Sequence, residues 1–409
     1  MERLIAQPYK LFNKIQNYDW GTKDNDAFIP KFLGIKPEHD VPYAELWIGA
    51  HPKAPSEIEI DGKRFPLDKI IAEYPLEFLG EYVSKKFDNK FPFLLKVLSA
   101  ERALSIQTHP NKEQAIMLHA ADPKNYPDDN HKPEIAIAVD SLTAIAGFRP
   151  VDEIIMNLHS LPEVQDFAGK DNVEKIFNSI EISEQEKSIK ELYSVIMNKA
   201  KETEELQTCI KSIQQRLKNR KDLSLEESQF LTQFSLFGAD VGLLSFFFFN
   251  FIQLKPQQAI FTKAGVPHAY IKGNIIECMA NSDNVVRAGL SNKFKDVNTL
   301  LKIMRYDFEE YEIINREMKV DDVSYKTPAE EFEVSYSKKS SGYFEKIKSD
   351  NKPKVYLISN GNLKISWTTD GGIMSQKFSK GESFFIPAFL FDYEISVEDE
   401  AEFYRVEIS

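Results

Sequence analysis

Seven histidines leave few ways to build an imidazole-based site in this chain, and three of them stand beside other donor types. In Ser105-Ile106-Gln107-Thr108-His109-Pro110, strand alternation puts Gln107 and His109 on one face and Ile106 and Thr108 on the other. An amide oxygen and an imidazole so spaced can share one metal ion, although an isolated pair of this kind is more often the polar outer face of a strand. His131-Lys132-Pro133-Glu134 precedes an apolar run at 135–139. Pro133 favours an extended backbone for itself and for Lys132, so Glu134 opens the strand. There it is either an edge charge or the anionic oxygen that a divalent ion prefers. Gly265-Val266-Pro267-His268-Ala269-Tyr270 delivers a histidine from a Gly–Pro turn onto a strand, where the bland reading is a solvated imidazole. Each signal is weak alone. Together they supply two imidazoles, one carboxylate and one amide oxygen from separate strands. Such a mixed nitrogen and oxygen set suits a catalytic zinc with open positions better than a closed structural site, and Mn, Fe or Co fit almost as well by ligand type.

Two further segments place charge inside apolar strands. Glu277 lies in Ile276-Glu277-Cys278-Met279, and Arg287 follows two valines before Ala288-Gly289-Leu290. Lys96 is embedded in Phe93-Leu94-Leu95-Lys96-Val97-Leu98. Buried charges are costly unless paired, so these positions point either to structural ion pairs or to an active site. Alternation sets Glu277 on the face of Ile275 and Met279, opposite Cys278, and partial burial there would raise its pKa toward the range of a general base. Lys132 and His131 are rival bases because both flank Glu134. The plain alternative is that Glu277 only pairs with Arg287.

The elements that must position these groups are mostly short strands. From Tyr9 to about Ala146, brief apolar runs are broken by Pro, Gly, Asn and Asp, with helices expected at 67–87 and 111–121. From Val151 to about Leu236 the chain turns rich in Glu, Lys, Gln and Leu. Ser183 with Glu186 and Ser224 with Glu227 have the spacing of capping boxes, which predicts several helices with solvated charged faces. Strand character is expected again at 243–254 and beyond, then a short helix at 296–304. An all-β tail from about Val323 follows, with turns at Asn360-Gly361 and Gly371-Gly372. No histidine follows His268, so the tail is expected to carry no metal site.

Composition narrows the function classes. A net charge of −12 argues against nucleic acid and anionic membrane as partners, since both need a basic footprint. An anionic small molecule then requires local clustering of Lys and Arg. Two distant cysteines, Cys209 and Cys278, make no disulfide framework and fit a reducing, cytoplasmic compartment. The most apolar stretch, 242–254, is interrupted by Ser245 and Asn250 and is short of the ~20 residues of a spanning helix.

Tyr18-Asp19-Trp20-Gly21, Ala44-Glu45-Leu46-Trp47-Ile48-Gly49, 92–99, 105–110, 125–134, 267–270 and 277–290 occur in the order of, and closely resemble, the successive signatures of type I phosphomannose isomerases of the cupin superfamily. The resemblance is strong from Tyr9 to Met304 and looser beyond Thr327. It implies a mainly β fold of two cupin-like jelly-roll sandwiches plus an α-helical domain. The corresponding division is 1–150 with 241–320 as the catalytic cupin domain, 151–240 as the helical domain, and 321–409 as a cupin-like domain without a metal site. It implies one Zn2+ per chain held by Gln107, His109, Glu134 and His268, and interconversion of mannose 6-phosphate and fructose 6-phosphate, feeding GDP-mannose and other nucleotide-sugar synthesis. By the same resemblance Arg287 is essential, and Glu277, Lys132, Ser105, Lys96, Tyr270, Trp20 and Lys293 are pocket positions. Gln107 stands where many cupins carry His, and Ser291-Asn292-Lys293 stands where relatives carry Thr-Pro-Lys. The expected partner is a small sugar phosphate, with no nucleic acid or membrane, and the expected state is a monomer. The competing readings are another cupin metalloenzyme, which would show oxygen- and iron-dependent activity, and a non-catalytic sugar-phosphate-binding cupin, in which Glu277 would be dispensable.

Overall fold

The computed structural model describes residues 4–179, 181–201, 203–308, 311–318 and 321–409. Among these, two nine-stranded antiparallel sheets dominate, and a helical region is inserted between two strands of the first, as the mainly β expectation with a helical insertion requires.

The first sheet runs in the order Ala259–Thr262, Glu134–Phe148, His268–Ala280, Phe93–Ala100, Glu45–Gly49 and Lys14–Gln16. Its two long strands change partners along their length. Glu134–Phe148 pairs with Ala259–Thr262 at one end and with Phe249–Leu254 at the other. His268–Ala280 pairs with Ile106–Thr108 at its start and with Phe93–Ala100 from Gly273 onward. Register shifts near Lys272 and Gly273 bend it. Gly273 makes the bend possible, because its φ is +139° and a Cβ there would lie 2.1 Å from the Ser141 carbonyl oxygen.

Alternation along these strands separates two jobs. Ile276 and Cys278 are fully buried and pack with Val355, Leu357, Tyr325 and Tyr404 of the second sheet. Burying each such aliphatic side chain contributes roughly 1.5–3 kcal/mol. Ile275, Glu277 and Met279 face the other way, into the hollow of the first sheet.

Helices fill the chain from Val151 to Ser245. Leu206, Cys209, Ile210, Ile213 and Leu217 form the buried stripe of Thr203–Lys218, at the spacing of one helical face. That core is continuous with Phe148, Phe249, Ile106, Val286 and Leu290 of the first sheet. The capping box of Ser224 and Glu227 is formed, and a second one, Asn111 with Gln114, starts Lys112–Ala121.

Several local expectations are corrected. Ser183 does not cap: the helix Ile182–Lys199 starts one residue earlier, with Glu181 at the N-cap and no side-chain cap bond. The stretch expected as one helix at 67–87 is two, Leu67–Glu73 and Pro75–Lys86, because Pro75 lacks the amide a continuing helix needs. The apolar run at 243–254 is not one strand: a helical turn, Gly242–Ser245, precedes the strand Phe249–Leu254. An unbroken apolar run carries no period that distinguishes the two. Asn360-Gly361 is no hairpin turn but a bulge inside Lys354–Thr369, and the turn expected at Gly371-Gly372 falls one residue earlier, on Asp370-Gly371, with Gly372 already paired to Thr369 at the start of Gly372–Ser379.

The second sheet includes Tyr9–Leu11, which pairs with Ser383–Ile386, so the start of the chain completes the C-terminal sheet. The hollow of this sheet is filled by rings. Phe378 stacks on Phe384 with centroids 4.0 Å apart, and Tyr356 stacks on Phe384 at 4.8 Å. No helix of the described residues is long and apolar enough to cross a membrane.

Candidate metal centre and substrate cavity

Ile106–Thr108, Glu134–Phe148 and His268–Ala280 meet at one end of the first sheet. His268 is the register partner of Gln107, and Arg287, on Val286–Gly289, flanks Gln107 from the other side. Glu134 opens its strand opposite Thr262 and Met279. His109, Glu134 and His268 are all buried, and their ligand atoms lie within 4.8 Å of one another.

The backbone fixes the tautomers. His109 Nδ1 is 2.8 Å from the Asn284 carbonyl oxygen, and His268 Nδ1 is 3.0 Å from that of Val266. A carbonyl only accepts, so both Nδ1 atoms carry a proton, and Nε2 is the ring nitrogen left to face Glu134. His268 Nε2 lies 2.8 Å from Glu134 Oε1, and His109 Nε2 lies 3.5 Å from Glu134 Oε2. Both Nε2 atoms and Glu134 Oε2 are buried without a hydrogen-bond partner. Acceptors facing acceptors repel unless a cation lies among them, so the donor set fits a divalent metal. Burial pushes His109 down to about 4, with Lys132 adding to the effect. Burial would raise Glu134, but Lys132, His268 and His109 outweigh it and hold its carboxyl well below the usual range. An imidazole that resists protonation, as His109 does, beside an ionised carboxylate suits a metal, which needs free lone pairs. Ser105 Oγ donates to Gln107 Oε1 at 3.2 Å, which orients the amide beside the cluster.

A second charged group lies along the floor. Lys96 Nζ is 2.9 Å from Glu277 Oε2 and 3.7 Å from Glu45 Oε2, and all three side chains are buried. Trp47 Nε1 donates to Glu45 and its ring lies under Lys96. Burial opposes the charge on Lys96, but Glu277 and then Glu45 hold its pKa above the ordinary lysine value. Glu277 is thus paired with Lys96 and not with Arg287. Tyr270 joins the two groups, donating to Glu134 Oε1 at 3.4 Å. Burial, then Glu134 and Glu277, push its phenol well above 10, so it stays a donor. Lys132 Nζ lies 3.2 Å from Glu134 Oε2.

Beside Gln107 opens a cavity of about 430 Å³ lined by Arg287, Lys293, Lys124, Lys53 and Asp283, among others. Lys53 pairs with Asp283 at 2.8 Å. Arg287 is half-buried, has no ion-pair partner among the described residues, and its Nε has no hydrogen-bond partner. Burial alone lowers its pKa. Lys293 is exposed, 5.7 Å over the Tyr18 ring, which stacks on Trp20 at 5.8 Å.

The structure therefore links His109, Glu134, His268, Lys132 and Tyr270 by short contacts, pairs Lys96 with Glu277, and sets Gln107, beside Ser105, in register with both His268 and Arg287; Arg287 and Lys293 line the neighbouring cavity, and Trp20 stacks on Tyr18. His131 is turned away: its Nε2 lies 2.6 Å from Glu331 Oε1 of the C-terminal region, which removes it as a rival base. Sequence reasoning missed Glu45, Tyr18 and Asn284 as parts of the site. Glu45 carries the same signal as Lys96, a charge inside an apolar strand. Asn284 acts through its carbonyl, which no side-chain pattern discloses.

Comparisons with known proteins point to one family. Residues 9–151 match the family model described as phosphomannose isomerase type I, catalytic domain. The mannose-6-phosphate isomerase of Candida albicans is 36% identical over 91% of this chain and 91% of its own length. That of Saccharomyces cerevisiae is 36% identical over 96% of each. Among solved structures, a zinc-bound mannose 6-phosphate isomerase superposes with a TM-score of 0.84 at 28% identity, covering 99% of this chain and 100% of that one.

Proposed function

This chain belongs to the type I mannose-6-phosphate isomerase family, and from that premise we propose that it interconverts mannose 6-phosphate and fructose 6-phosphate at the buried His109–Glu134–His268 cluster, with Gln107 as fourth ligand to one zinc ion. The observation that carries the reading is the pair of imidazoles whose Nδ1 protons are committed to backbone carbonyls, so that both Nε2 atoms face the buried Glu134 carboxylate without a hydrogen-bond partner.

Moving a carbonyl from C1 to C2 needs a proton removed from one carbon and returned to the next, with negative charge developing on both oxygens. Bound zinc supplies a Lewis acid and an anchor for sugar oxygens or water. Glu277 is the proton carrier, its carboxylate held on the floor by Lys96. Glu45, through Lys96, keeps that ammonium charged. Tyr270 and Lys132 are donors beside the reacting oxygens. Arg287 and Lys293 hold the phosphate, since a half-buried guanidinium without an anion wants one. The catalytic cupin domain comprises 1–150 with 241–320, and the regions 151–240 and 321–409 support it. The protein works as a cytoplasmic monomer that supplies mannose units for nucleotide-sugar synthesis.

The test is conversion of mannose 6-phosphate to fructose 6-phosphate by purified protein before and after chelator treatment. Turnover that stops on metal removal supports the reading. A protein that binds the sugar phosphate and never converts it would instead be a binding cupin.

A further inference from the structure

Asp240, at the exit of the helical region, has no part in the chemistry above, yet three bonds converge on its carboxylate. Oδ1 accepts the backbone N–H groups of Gly242 and Leu290, each at 2.7 Å, and Oδ2 lies 3.1 Å from Lys295 Nζ. Leu290 is buried and has φ +53°, a left-handed conformation that side-chain-bearing residues avoid. The neighbouring backbones are in close contact. A Cβ on Gly289 would lie 2.4 Å from Gly242 Cα and 2.8 Å from Asp240 Oδ1. Gly289 thus lets the segment leaving the helices press against the strand that carries Arg287. Arg287 stands three residues before the turn and Lys293 three residues after it, and both line the same cavity.

We propose that Asp240 is a positioning residue: it fixes the left-handed turn at Leu290 and thereby sets Arg287 and Lys293 on one cavity. The helical region then contributes to substrate binding through this single carboxylate. The proposal rests on the reading that Arg287 and Lys293 hold the substrate phosphate.

Three variants of the zinc-loaded protein test it. Asp240→Ala removes both acceptor bonds at the turn and should raise KM for mannose 6-phosphate by on the order of tenfold or more. Asp240→Asn retains an Oδ1 acceptor and should stay within a few-fold of the parent. Asp240→Ala combined with Leu290→Gly should recover much of the lost KM, because glycine adopts positive φ freely, even though losing the buried leucine side chain lowers Tm further. Simple destabilisation predicts the opposite order for the double variant. Trypsin cleavage after Lys293 or Lys295 gives a readout independent of substrate, and it should quicken several-fold in Asp240→Ala. Cleavage at the parent rate, or a double variant no better than the single one, overturns the proposal. If Arg287→Ala and Lys293→Ala leave KM unchanged while cleavage of Asp240→Ala still quickens, the phosphate reading fails and the positioning role stands.

Discussion

Glu277 has to be ionisable inside an apolar wall, and Lys96 at 2.9 Å makes that tolerable. Replacing Glu277 by Gln keeps the shape and the hydrogen bonding but cannot take a proton. The expected outcome is loss of exchange between the substrate C2 hydrogen and solvent, by a factor on the order of 10² to 10⁴, with zinc content and sugar-phosphate binding retained. Exchange at near the parent rate would move Lys132 to first place. His109→Ala and His268→Ala remove one imidazole each from the His109–Glu134–His268 group, so bound metal and activity should fall together when the purified variants are analysed for zinc. Full zinc content in both would sink the ligand assignment. Much of this site was legible residue by residue: embedded charges announced Lys96 and Glu277, and donor types singled out His109, Glu134 and His268, whose ligand atoms lie within 4.8 Å of one another. Glu45 carried the same signal in its own apolar strand. The pairing of Glu277 with Lys96 in place of Arg287 was not legible, because it depends on which strands become neighbours.

The strand His268–Ala280 does several jobs in sequence. It starts with His268 of the candidate metal cluster, presents Tyr270 two residues later, bends near Gly273, presents Glu277, and closes the shared core with Ile276 and Cys278. The bend is its weak point. Gly273→Ala would force a Cβ to 2.1 Å from Ser141 O at a φ of +139°. A loss on the order of 2–4 kcal/mol is expected, seen as a lower Tm, with activity falling in step as the two ends of the strand lose their relative placement. A variant as stable as the parent would show that the bend does not need glycine. Alternation made the two faces of this strand readable from sequence. Its length, its bend and its change of partners were not, since each is set by distant segments. The same holds for 243–254, where local composition fits strand or helix, and Asp240, accepting from the Gly242 amide, helps start a helical turn.

Across the whole molecule, the two sheets share one core, in which Ile276 and Cys278 meet Tyr325, Val355, Leu357 and Tyr404. Stacked rings of Tyr356, Phe378 and Phe384 lie within the core of the second sheet. A polar tie at the same boundary is His131 with Glu331. Burial would raise the Glu331 carboxyl, but His131 outweighs it and the pKa lies below its ordinary value. A folded-state pKa depressed in this way contributes stability above the unfolded value of about 4.3, and that contribution is lost as pH falls through the folded value. The Tm advantage of the parent over Glu331→Gln should therefore be full at about pH 6 and shrink below about pH 4. An advantage that does not change with pH would mean that the contact is not ionic. The account as a whole turns on one metal serving one hollow. Titrating zinc into metal-free protein while following fructose 6-phosphate formation from mannose 6-phosphate tests this most directly. Activity should rise from nothing and level off at one equivalent of zinc per chain. Turnover without metal, or a rise that continues to a second equivalent, would contradict it.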